Sequence, residues 1–168
     1  ALVAGANYSV VVDAAGAVWT CGSPINKQLG YEGDGRGFRV VPGLPPVQTA
    51  SAGSSHTVVI TEDAELWGWG FNRNNELGGS TPWGIQGTPV SITAPGGTVQ
   101  AIATGAYHTF IKTLEGDYCC GHNLDGQLRL GNTSGQNEFV QHSVTSALPS
   151  AGKRRAKSAR SAMPSGCE

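Results

Sequence analysis

At 168 residues the chain is long enough for one domain with a real core and too short to expect two. Its 25 glycines argue against a helical fold, since each costs about 1 kcal/mol against alanine inside a helix, while strands joined by tight turns use them freely. The net charge of −1 conceals a division: residues 1–146 hold six basic against eleven acidic side chains, and the last 22 residues hold Lys153, Arg154, Arg155, Lys157 and Arg160 against Glu168 alone, so the body is a poor nucleic-acid surface and only the tail could serve as one.

The opening text, ALVAG at residues 1–5, matches TASAG at 49–53 and AIATG at 101–105. It therefore reads as the end of a unit whose beginning is missing, and with Ala1 in place of a methionine the chain reads as a piece of a longer protein. Residues 9–12 form a β-branched run that predicts a strand, followed by a hairpin turn at residues 13–16. The returning strand, 17–21, sets Val18 and Thr20 on one face and Trp19 and Cys21 on the other; both faces are largely apolar, which predicts burial on both sides. Residues 22–37 are polar and glycine-rich, a loop pinned by Leu29. A third strand is expected at 38–41 and a fourth at 47–52, handing over to Gly53.

The same order then recurs. In the second unit the run Val58-Val59-Ile60 follows Gly53, a loop spans 72–87, and strands are expected at 88–92 and 99–103; in the third the turn is at 114–117, the loop at 121–132 and the outer strand at 139–144. Gly5, Gly53 and Gly105 open the copies, at spacings of 48 and 52 residues. Behind them align Tyr8, His56 and His108; the second glycines Gly22, Gly70 and Gly121; then Pro24, Asn72 and Asn123; Gln28, Glu76 and Gln127; and Leu29, Leu77 and Leu128. Four short strands per unit of roughly 50 residues predict an all-β fold made of propeller blades. Beyond residue 146 the pattern fades, and residues 147–168 read as a basic, disordered extension.

The text G-x-x-H, an apolar run, a turn, then W-G-x-N-x-x-G-Q-L-G and P-V resembles the repeat of the regulator of chromosome condensation family. It is carried by Gly53, His56, Trp69, Gly70, Asn72, Glu76, Leu77, Gly78, Pro89 and Val90, and by Gly105, His108, Gly121, Asn123, Gly126, Gln127, Leu128 and Gly131. Departures are Tyr8 for the histidine and Pro24 for the asparagine in the first copy, Asn75 for the loop glycine in the second, and Arg129 for a glycine in the third. The resemblance covers about residues 1–146 and implies a seven-bladed β-propeller, of which three blades form an open arc with two raw faces.

Chemistry finds little footing. His56 and His108 recur once per unit, as structural residues do and catalytic ones do not. The aromatic set Trp19, Trp67, Trp69 and Tyr118 reads as core filling. Trp83 has no counterpart in the other units; it reads either as a binding anchor or as a side chain tucked over its own blade. The glycine-rich stretch 33–37 lacks the lysine and hydroxyl of a phosphate loop, and the sequons at Asn7 and Asn132 have no support from any secretion signal. Cys21, Cys119, Cys120 and Cys167 show no C-x-x-C spacing, so a zinc site or disulfide framework is not expected, and reduced thiols suggest a cytoplasmic or nuclear protein. No apolar run reaches the roughly 20 residues of a membrane helix.

The expectation is thus a scaffold without catalytic residues, cofactor or metal, binding a protein partner through its loops. The alternative implied by the resemblance is guanine-nucleotide exchange on a Ran-type small GTPase at chromatin. For the tail, nuclear import or weak contact with nucleic-acid phosphates stands beside a merely solubilising role.

Overall fold

A computed structural model describes residues 1–142. The expectations for the tail, and the last two residues of the 139–144 strand, lie outside the described residues. Twelve strands make three four-stranded antiparallel sheets. The first joins β1 (Leu2–Ala4), β2 (Tyr8–Val12), β3 (Val18–Gly22) and β4 (Arg39–Val40); the second β5 (Val47–Ala52), β6 (His56–Thr61), β7 (Leu66–Asn72) and β8 (Gly84–Ile92); the third β9 (Val99–Thr104), β10 (His108–Thr113), β11 (Asp117–Gly121) and β12 (Gln136–His142).

Pairing corrects the phase read from the sequence. Leu2–Ala4 does not end a missing unit; it pairs with β2. Likewise Val47–Ala52 is not the fourth strand of the first sheet but the first of the second, paired with β6. Each sheet therefore begins one strand before its glycine, because that glycine sits in the tight turn of a hairpin: the amides of Gly5, Gly53 and Gly105 donate to the carbonyls of Tyr8, His56 and His108 at 2.8–2.9 Å. Three outer strands also differ in length. β8 starts four residues earlier than expected, β12 starts three earlier, and β4 is reduced to two residues.

The apolar runs bury themselves between sheets. One core lies between the first and second sheets, with Tyr8, Val10, Val12 and Leu29 against Val47, Val59 and Trp69. The other lies between the second and third, with Val58, Ile60, Leu66 and Leu77 against Val99 and Ile111. Every residue of β6 is buried because both its faces are covered, whereas β2 and β10 alternate, each with one face against the middle sheet. Trp19 corrects the expectation of burial on both faces of β3. It is 36% exposed, since among the described residues no sheet packs on the outer side of the first. Of the aromatic set only Trp69 is fully buried. The three glycine turns converge on a recess of about 310 Å³ walled by Gly5, Gly53, Gly105 and their neighbours, and the sheets fan out from it as an open arc.

Candidate functional site

The repeated residues form one device, used again at each junction. The ring of the residue three after the opening glycine lies over that glycine's Cα, so that a methyl group at Gly5, Gly53 or Gly105 would overlap Tyr8, His56 or His108. From there the side chain reaches the next sheet. The Tyr8 hydroxyl donates to the His56 carbonyl at 2.5 Å and accepts from the Thr57 hydroxyl at 3.0 Å; His56 Nε2 lies 3.2 Å from the Thr109 hydroxyl. The loop closing each blade supplies the second link, since the Gln28 carbonyl accepts from Trp69 Nε1 at 2.9 Å, and the Glu76 carbonyl accepts from the Thr109 hydroxyl at 2.6 Å and the Cys120 thiol at 3.4 Å. At the second glycine, Gly70 has a φ of 95°, and a Cβ there would strike the Ser55 carbonyl. Gly22 and Gly121 meet the same constraint.

This framework holds the loops rigid. Asn72 and Asn123 are fully buried; their side-chain oxygens accept from the amides of Leu77 at 2.9 Å and Leu128 at 2.8 Å, and their nitrogens donate to the carbonyls of Pro82 and Asn132, each at 3.0 Å. Gln28, Glu76 and Gln127 each accept from the amide two residues before, at 2.8–3.0 Å. Pro24 cannot act as Asn72 does, and the first loop is tied where the Gly22 amide donates to the Gly35 carbonyl at 2.8 Å.

On this rigid base the loops carry large apolar side chains into solvent. Ile25 and Leu124 stand at equivalent positions, three residues after Gly22 and Gly121, and are 80% and 70% exposed. The third equivalent is Arg73, whose guanidinium lies 5.9 Å from the centre of the Trp83 ring; Trp83 is 68% exposed and donates its indole N–H to the Arg73 carbonyl at 2.9 Å. Both readings of Trp83 thus meet in one residue, tied to its own blade by the N–H and bare on most of its surface. Tyr107, 44% exposed, continues the row between Phe71 and His122, with ring centroids 6.5 and 6.2 Å away. The sequence reading missed Ile25, Leu124 and Tyr107; the signal was there, as apolar residues in otherwise polar loops.

Charge divides the two ends. The loop rim mixes Lys27, Arg36, Arg73 and Arg129 with Glu32, Asp34 and Asp125, two of its cations paired as Lys27–Glu32 and Arg36–Asp34. The opposite end, built of the hairpin turns, carries Asp13, Glu62, Asp63, Glu65 and Glu115 and no basic residue within the turns. Among the described residues no three of His, Cys, Asp and Glu lie close enough to hold a metal ion. The three described cysteines are free, and burial pushes the Cys119 thiol up to about 11 and raises that of Cys120 as well, away from nucleophilic thiolate. Among the described residues no helix is long and apolar enough to cross a membrane.

Models of the regulator of chromosome condensation (RCC1) repeat match residues 47–76 and 63–111. The chain belongs to the regulator of chromosome condensation repeat family. An inhibitor of Bruton tyrosine kinase from Xenopus laevis is 36% identical over 141 residues, covering 79% of this chain and 10% of that protein. The regulator of chromosome condensation of Mus musculus is 32% identical over 132 residues, covering 74% of this chain and 31% of the relative. Among solved structures, Prp20p from Saccharomyces cerevisiae, described with its binding properties to Gsp1p and histones, superposes with a TM-score of 0.74 at 16% identity, over 86% of this chain and 38% of that one. The RCC1 repeats here thus span under a third of the length of these curated relatives. They form a partial propeller whose loop rim is the candidate site.

Proposed function

We propose that this chain is a non-catalytic docking scaffold whose loop rim binds another protein. The observation that carries this reading is the set of exposed Ile25, Trp83, Tyr107 and Leu124 at the loop end, with Trp83 and Leu124 on loops that buried Asn72 and Asn123 hold in place. Apolar and aromatic side chains on a pre-organised surface cost little entropy to engage, which is what interface anchors need. Arg73, over the Trp83 ring, adds a guanidinium to the same patch, and both residue types are enriched at interfaces. The buried thiols of Cys119 and Cys120 and the buried imidazole of His56 support the non-catalytic part of the reading. Cross-linking of the chain in cell extract, with the double substitution Trp83→Ala and Leu124→Ser against a turn-end control Asp63→Ala and Glu65→Ala, tests it. The rim pair should abolish the cross-linked partners and the turn pair should spare them; loss in both, or in neither, removes the rim from consideration.

A second reading is kept because Prp20p is described with binding to the GTPase Gsp1p. On it, the rim would stimulate nucleotide release from a Ran-type GTPase. Release of labelled GDP decides between the two: a spontaneous rate in the presence of the chain leaves the scaffold. The basic residues Lys153, Arg154, Arg155, Lys157 and Arg160 would belong to either reading as a nuclear-import or phosphate-contacting segment. Deleting residues 147–168 should then end nuclear accumulation or salt-sensitive retention on DNA.

A further inference from the structure

The outer strand of each blade leaves its sheet at the same point. In the second sheet Gln86 pairs with Gly70 and Val90 with Gly68, so residues 87–89 stand opposite Trp69 alone. In the third, residues 137–139 stand opposite Cys120 in the same way. In the first, the Gly22 amide donates to the Gly35 carbonyl at 2.8 Å and Thr20 pairs with Arg39, which leaves residues 36–38 opposite Cys21. Surplus residues on one strand make a bulge, and a bulge re-aims side chains away from the ladder.

These bulges are accessible even where a blade packs before them. Thr88 is exposed beside the first blade, and Asn137 and Glu138 are exposed beside the second, although Asn137 accepts from the Asn75 side chain there. Arg36 and Gly37 take the places of Asn137 and Glu138 in the first blade. Their exposure therefore follows from the bulge, and it holds whether or not a further blade precedes the first.

Packing accounts for Gly35 and for neither of the two residues after it. Gly35 has a φ of 69°, and a Cβ there would overlap the Gly22 carbonyl. A Cβ on Gly37, by contrast, would meet nothing within 4 Å. The Arg36 side chain is 89% exposed, and its Nε lies 3.9 Å from Asp34 Oδ2, too far for a hydrogen bond. So exposed a pair is worth little, and the guanidinium is released at almost no cost. Among the arginines of the chain, Arg36 alone has a glycine on either side.

We propose that Arg36 is a site of arginine methylation. An enzyme that methylates arginine must draw the whole guanidinium into a narrow pocket and bring its groove against the flanking backbone, and glycine permits that close approach. The methyl donor is S-adenosylmethionine. An η-nitrogen of Arg36 attacks the methyl carbon of the sulfonium, the carbon–sulfur bond breaks with its electron pair going to sulfur, and the nitrogen gives up a proton to a base of the enzyme. The products are a thioether and N-methylarginine. The charge is kept while N–H donors are lost, which weakens a two-pronged grip on a carboxylate.

The test incubates the full chain with a type I protein arginine methyltransferase and radiolabelled S-adenosylmethionine, and locates the label by peptide mass spectrometry. Arg36 should carry it as mono- and dimethylarginine, with Arg39, Arg73 and Arg129 unlabelled. Arg36→Lys should remove the label, and Gly37→Val should lower it at least about tenfold by obstructing the groove. Both variants should keep the wild-type circular dichroism and melting temperature, since Arg36 and Gly37 have no packing to lose. A folded chain that takes no label overturns the proposal, as does label confined to other arginines or a Gly37→Val variant labelled as fast as wild type. So does a synthetic peptide of residues 31–41 that takes label where the folded chain does not.

Discussion

His56 is a neutral imidazole sealed between two sheets. The Thr109 hydroxyl donates to the Glu76 carbonyl, so His56 Nε2 carries a proton and donates to the hydroxyl oxygen, while Nδ1 is left without a partner. Burial, and secondarily the nearby His108, holds its pKa down to about 3 against an ordinary 6.5. The folded chain therefore takes up this proton less readily than the unfolded one. The stability contributed by the neutral ring is complete above pH 6.5 and is lost as pH falls toward 3. His56→Tyr installs the first blade's own residue, Tyr8, at this place. Urea midpoints measured from pH 7 to pH 4 should fall less steeply in that variant than in wild type; an equally steep fall would put the acid sensitivity elsewhere.

Glu76 behaves in the opposite sense. It stands where the other loops have Gln28 and Gln127, and burial raises its pKa although Asn74 bonds the carboxylate. The folded state holds that proton more tightly, so stability falls as pH rises above the ordinary 4.5. Glu76→Gln keeps an acceptor for the Asn74 amide, as Gln28 and Gln127 do in their loops, and removes the charge. Its melting temperature should exceed wild type at pH 7 and match it near pH 4, and no gain at pH 7 would refute the desolvation cost. At this scale the sequence is easily read where side-chain identity repeats, as with His56 and Glu76. It is harder to read at Arg129, which replaces a glycine yet keeps the left-handed backbone at φ 56°, because a conformation that strains a side chain leaves no mark in composition.

Among the elements, the loop after β7 shows how one polar residue organises a surface. Asn72 closes the loop at both ends, bonding Leu77 and Pro82, and the Trp83 backbone follows directly. Asn72→Ala leaves the buried Leu77 amide without its acceptor and should cost about 1–3 kcal/mol in chemical denaturation. It should also shift the Trp83 emission to the red as the indole loses its seat on Arg73, whereas a change in stability alone would show the loop to be held by other contacts. The same loop explains a boundary that sequence could not fix. Residues 84–87 read as loop because glycine stands at both ends, but Gly84, Ile85 and Gln86 pair with Asn72, Phe71 and Gly70 across a register shift, and a strand set by its partner beyond a bulge has no alternation of its own. The starting phase of the blades was hidden for a similar reason: the text on either side of Gly53 fits a strand equally well, and only hydrogen bonding assigns Val47–Ala52 to the later sheet.

In the whole molecule both cores lie between sheets, not within them, and the middle sheet belongs to both. Contacts limited to neighbours make stability a sum over blades and their junctions. Amide exchange should accordingly be slowest in His56–Thr61 and Leu66–Asn72 and fastest in Leu2–Ala4, Arg39–Val40 and Gln136–His142; uniform protection would mean a single cooperative unit in place of stacked modules. The arc itself was legible because three copies of one glycine spacing imply three copies of one hairpin. The Lys112–Asp117 row was not, since only strand register reveals that these two residues replace a pair of aliphatics.

Among the described residues the turn end of the blades is strongly acidic while the loop end is close to balanced, which gives the blades an electric axis running along their strands. In free diffusion that axis acts as a rudder. An anionic surface repels the turns and is met loops first, whereas a cationic one captures the molecule by the wrong end. Added salt, by shortening the reach of this field, should therefore weaken the repulsion of the turns and speed arrival at an anionic partner while changing departure far less.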